Sequence, residues 1–160
     1  MQDSHTDPGE WVKFRNIEIK DLDQDPAFAA RHIGSVDTAA RRSAYDAAIR
    51  LGPIMIDPLL DMLTKGKGAD VQAAGNALRD IVTGLSSPGA AGQAQARRTL
   101  IARLGRSGTN ADQDRLAAAT LLALLGAADR ETTAALSKAA SEGGPLKDAA
   151  ISSLEMLSAR

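Results

Sequence analysis

The chain has 160 residues, a formal net charge of −1, no cysteine, and four aromatic side chains, Trp11, Phe14, Phe28 and Tyr45. That length suits one domain able to bury a real core; the lack of thiols excludes disulfides, thiolate zinc sites and cysteine nucleophiles, and the near-zero charge argues against strong non-specific phosphate binding. No apolar run is long enough to cross a bilayer, and the first residues hold acids where a signal peptide needs a basic start, so the sequence as written reads as soluble and cytoplasmic, without a membrane partner.

From Trp11 to Leu22 the chain reads as β-strand. Val12 and Phe14 share one face and Ile17 and Ile19 the other, and the phase change at Arg15-Asn16 reads as a bulge. A lone strand leaves its backbone groups unpaired, so it needs a sheet that the rest of the chain does not offer, or self-association through its exposed edge. Residues 23–35 read as an acidic linker. Asp21, Asp23 and Asp25 imitate the opening of a calcium loop, but Pro26 stands where glycine must turn the chain and His32 where a bidentate glutamate is needed. His5 and His32 lie far apart with no metal-ligand spacing, so no metal and no cofactor site is expected.

Beyond Val36 the apolar residues fall at helical spacing. The first block, Asp37 to Leu51, ends at Gly52-Pro53, where glycine allows a positive φ and proline suits the next first turn. Ile56, Leu59, Leu60 and Leu63 then follow at i, i+3, i+4, i+7 before the chain turns at Lys65-Gly66-Lys67-Gly68. Asp70 is expected to cap a third helix running to Leu85. A fourth is expected over Ala91 to Leu104. A fifth, Ala111 to Leu125, is apolar nearly all round at its end through Leu121, Leu122, Leu124 and Leu125, and should lie between neighbours. Asp129 opens a sixth and Gly144-Pro145 a seventh, whose Lys147, Asp148, Ser152, Glu155 and Ser158 suit a polar outer side.

Asp70-Val-Gln-Ala-Ala, Asp114-Arg-Leu-Ala-Ala and Leu146-Lys-Asp-Ala-Ala repeat one helix, with Ala-Ala pairs starting at 73, 117 and 149. Paired helices at this period are the signature of an α-solenoid; a plain helical bundle is the alternative. Residues 36–160 resemble HEAT repeats, with Asp57-Pro58-Leu59-Leu60 in the first helix of a unit and an Ala-rich second helix. The expected fold is therefore all-α, a short α-solenoid of about seven helices behind an N-terminal extended remnant (residues 1–22).

Gln2-Asp3-Ser4-His5, Val12-Lys13-Phe14-Arg15-Asn16-Ile17-Glu18-Ile19 and Leu22 are similar to the closing hairpin of the 3-keto-disaccharide hydrolase family, a concanavalin-like β-sandwich. The match would cover about the last tenth of such a domain. It implies a larger, sugar-active bacterial parent, commonly exported, with His5 and Arg15 as remnants of a carbohydrate cleft. It gives this chain no catalytic residue, because most of the sandwich and its pocket are absent.

Arg41, Arg42, Arg79, Arg97, Arg98, Arg103, Arg106 and Arg115 could line a basic strip for nucleic acid. Asp46, Asp80, Asp112 and Asp114 interleave with them, and no aromatic follows Tyr45 to stack bases, so a solvated, salt-bridged face is the better reading. Gly66-Lys67-Gly68 and Gly105-Arg106-Ser107-Gly108 lack the rest of a phosphate loop or nucleophile elbow and read as turns. The leading expectation is a non-catalytic interaction module that docks a protein partner or a missing β-sandwich domain. The alternative is the tail of a 3-keto-glycoside hydrolase, and a nucleic-acid-binding repeat is the third reading.

Overall fold

A computed structural model of the chain describes residues 24–107 and 111–159. Among the described residues there are eight α-helices and no strand. They are α1 Pro26–His32, α2 Thr38–Leu51, α3 Ile56–Lys65, α4 Ala69–Gly84, α5 Gln93–Leu104, α6 Ala111–Leu125, α7 Arg130–Ala140 and α8 Gly144–Ser158. The expected strand Trp11–Leu22 lies outside the described residues.

Local chemistry sets most of the helix ends. The Asp37 carboxylate accepts from the amides of Ala39 and Ala40 at 2.9 and 3.4 Å, and Asp129 accepts from Glu131 and Thr132 at 2.9 and 3.0 Å. Each satisfies donors that a helix start otherwise leaves orphaned. Gly52 turns the chain at φ +58°, and Pro53 opens a single 3-10 turn, Gly52–Met55, that runs straight into α3. Asp70 differs from expectation: Gly68 holds the N-cap position of α4, and Asp70 sits inside the first turn, where its charge still faces the positive end of the helix dipole.

The segment 23–35 is not a free linker over its described part. Asp25 caps α1 by accepting from Ala27 N at 3.0 Å, with Pro26 in the first turn. Ala29 and Ile33 are fully buried, and Phe28 packs against the core with its ring 4.7 Å from that of His32. The acid read as linker is a helix cap, and the seven-residue helix behind it covers part of the core.

The helices pack as four successive pairs: α1 on α2, α3 on α4, α5 on α6, and α7 on α8. The first helices of neighbouring pairs touch one another (α1–α3, α3–α5, α5–α7), and so do the second helices (α2–α4, α4–α6, α6–α8). Helix α6 also reaches across to α3, so it is flanked on several sides, as its leucine-rich end requires.

One buried register runs through all four second helices. Ala44, Ala74, Ala118 and Ala150 are each fully buried, and three residues on stand Ala47, Ala77, Leu121 and Ser153. The small residues let the helix axes approach. Ser153 replaces an apolar neighbour there, and its buried hydroxyl donates to Ala119 O across the α6–α8 contact at 3.0 Å and to Ala149 O at 2.7 Å. That satisfies the polar group where water cannot reach it.

Gly92 marks a close approach between two pairs. Its φ is +91°, and a Cβ there would lie 2.7 Å from Pro53 Cγ. Gly92→Ala is expected to cost about 1–3 kcal/mol through backbone strain and this clash, read as a lowered urea midpoint. A change within about 0.5 kcal/mol, as at an ordinary surface position, would show that the 3-10 turn can step aside.

Candidate functional site

The Arg/Asp alternation resolves into links between helices rather than one solvated strip. Arg103 on α5 is only 2% exposed. Its Nε donates to Asp57 Oδ1 at 2.5 Å and its Nη2 to Asp57 O at 2.8 Å, while Nη1 reaches Asp61 Oδ1 at 2.6 Å and Asp114 Oδ2 at 3.0 Å. One guanidinium thus ties α3, α5 and α6 together. Burial alone would lower its pKa, but the hydrogen bonds it donates to the aspartates outweigh that and raise it. Burial pushes the Asp61 carboxyl up, in the opposite sense, and donation from Lys65 and Arg103 overcomes it, so the group ends below its ordinary value. Oδ1 of the buried Asp114 has no hydrogen-bond partner among the described residues.

Arg97 donates to the cap aspartate Asp129 at 2.6 Å and joins α5 to α7. Burial raises the Asp129 carboxyl, but the Thr132 amide and Arg97 hold it below its usual range. Arg115 donates to Leu104 O at 2.8 Å and pairs with Glu142. Arg106 Nη1 stands 3.7 Å from Asp114 Oδ2. Arg41, Arg42, Arg79 and Arg98 are exposed. The expected salt bridges are present, and the expectation of a solvated face is corrected at Arg97, Arg103 and Arg115, which are partly or fully buried against carboxylates from other parts of the chain.

Tyr45 on α2 donates to Asp80 on α4 at 2.6 Å. Burial and then Asp80 push its phenol up to about 12. Because Tyr45 is the single tyrosine, phenolate absorbance reports it alone. A midpoint near 12 is expected in place of about 10, moving down in Asp80→Asn. The folded value lies above the unfolded one, so this contribution to stability is complete below about pH 10 and is lost as pH rises towards 12. A midpoint near 10 would show that the pair opens in solution.

Between α4 and α6, with the end of α3 as a third wall, lies an apolar groove of about 310 Å³. Leu63, Leu116 and Leu124 line it half-buried, and Gly75 gives it depth. A Cβ at Gly75 would find only Leu63 Cδ2, at 3.7 Å, so nothing in the fold demands glycine there. Exposed Arg79 and Thr120 stand at the rim. Arg79 is the one charged residue of the lining and has no ion pair among the described residues. The Arg103 hub and the groove share two helices: Asp61 precedes Leu63 by two residues on α3, and Asp114 precedes Leu116 by two on α6.

His5 and Arg15 lie outside the described residues. His32 is described, at the end of α1, and among the described residues no group of acids and histidines could hold a metal ion. Leu124 was legible in sequence as part of an apolar helix end. Gly75 carried a weaker signal, a mid-helix glycine that costs about 1 kcal/mol against alanine. No helix among the described residues is long and apolar enough to cross a membrane. No family model matches the chain, and no curated protein and no solved structure matches it either.

Proposed function

We propose that the chain is a short α-solenoid of HEAT-like helix pairs and works as a protein-interaction module. Support for the solenoid comes from the contact order, in which successive pairs meet first helix to first helix and second to second. The observation that carries the interaction reading is the groove between α4 and α6: half-buried leucines that no other described residue covers, on a face built from small-residue contacts. A recognition surface along stacked second helices is what a solenoid offers a partner.

The test is a selection of displayed helical peptides on the full chain. Peptides are expected to enrich, to compete with one another, and to lose binding on Gly75→Leu, which fills the groove. The Gly75→Ala variant keeps partial binding and controls for folding. Enrichment no greater than on an unrelated helical protein would sink the reading.

A further inference from the structure

Resting on that reading, we infer that the groove between α4 and α6 takes an acidic amphipathic helix whose aliphatic anchors pack on Leu63, Leu116 and Leu124 while a carboxylate meets Arg79.

Helix α6 sets the shape of the groove. Leu116, Thr120 and Leu124 stand at i, i+4 and i+8, so one wall is a straight ridge about 12 Å long. Gly75, Leu78 and Arg79 form the opposing wall on α4, one helical turn from end to end. A trough between two helix ridges accepts the ridge of a third helix, whose own i, i+4 side chains interdigitate with the walls. An extended strand would instead need backbone donors and acceptors, and both walls are helices whose backbone groups are already paired. The length of the trough matches about two turns of the incoming helix, enough for anchors at i, i+4 and i+7.

Arg79 sets the charge of the groove. It lies one turn beyond Gly75 on α4, exposed and, like Arg41, Arg42 and Arg98, without an ion pair among the described residues, and of these four it alone lines the groove; Arg97, Arg103, Arg106 and Arg115 each lie within ion-pair distance of an acid. The neighbouring acid, Asp80, is engaged by Tyr45 instead. Among the described residues no carboxylate lines the groove. An incoming glutamate or aspartate one turn from the anchor over Gly75 therefore meets an unanswered cation at the edge of an apolar, partly desolvated site, while a lysine meets repulsion.

The probe is a synthetic helical peptide with leucine at i, i+4 and i+7 and glutamate on its flanks, compared by fluorescence anisotropy with the same peptide carrying lysine for glutamate. The acidic peptide is expected to bind the full chain at least about tenfold more tightly, with the margin shrinking as salt rises. Arg79→Glu, an exposed substitution, should reverse the preference, and Gly75→Leu should abolish binding of both. Equal affinity for the two peptides, or acidic binding unaffected by Arg79→Glu, overturns the inference. If neutral or basic peptides are selected and are lost on Gly75→Leu, the interaction reading stands and the acidic partner falls. A concentration-dependent dimer of the chain abolished by Gly75→Leu would make a second copy the occupant, and would overturn the inference as well.

Discussion

Arg103→Ala is expected to destabilise the protein by about 3–5 kcal/mol, the cost of removing one partner from a buried ion pair. The loss arises at Asp114. Its side chain is 10% exposed, against 53% for Asp57 and 41% for Asp61, so only Asp114 cannot turn to water when the guanidinium is gone. Among the described residues its Oδ1 has no partner, which leaves the carboxylate dependent on Oδ2. Arg106, 3.7 Å from that oxygen and half-exposed, can soften the loss but cannot replace four hydrogen bonds. The double variant Arg103→Met/Asp114→Leu separates desolvation from packing: with both charges removed, much of the stability should return. Urea midpoints read both. A cost below about 1 kcal/mol for Arg103→Ala would place the cluster with exposed surface pairs.

The same cluster has a pH signature. The Asp61 carboxyl is held below its ordinary value in the fold, so its contribution is present above the unfolded value and lost as pH falls through the folded one. Arg103→Ala should therefore weaken the acid dependence of unfolding as well as lower the plateau at neutral pH. The functional consequence is positional. With Asp57 and Asp61 released, α3 can shift against α6, and the Leu63 wall of the groove moves with it. Peptide binding is then expected to weaken even at temperatures where the variant remains folded.

What the sequence made legible was local. Asp37 and Asp129 precede helices as caps, Gly52-Pro53 and Gly144-Pro145 punctuate them, and the Ala-Ala pairs mark a register that is buried in the structure. Each is a short-range constraint. Helix α1 escaped because Pro26–His32 is too short to display a helical period. Its one signal was Asp25-Pro26, a cap followed by a first-turn proline, which also fits an acidic linker. Arg103 escaped for the opposite reason. Nothing in Ile101-Ala102-Arg103-Leu104 distinguishes it from a solvated arginine; its partners lie 46 and 42 residues earlier on α3 and 11 later on α6. The groove stands between these cases, since its leucines obey helical spacing while the space above Gly75 exists only once α4 and α6 have been packed.

Ile33→Ala is expected to cost about 2–5 kcal/mol, the range for deleting a buried aliphatic side chain where the surroundings only partly collapse. Ile33 is fully buried at the end of α1, and α1 packs on α2, on α3 and on the 3-10 turn between them. A loosely held segment would instead tolerate the change within about 0.5 kcal/mol. The distribution of the damage discriminates between architectures. In a row of pairs that touch only their neighbours, loss of α1 packing loosens α2 and the start of α3 first, because these are what it covers. Helices α7 and α8 pack on each other and on α5 and α6. Amide hydrogen exchange in Ile33→Ala should therefore rise in α2 while α8 keeps its protection. A uniform rise along the whole chain would mean one cooperative bundle, and would remove the support that the stacked pairs give to a solenoid surface.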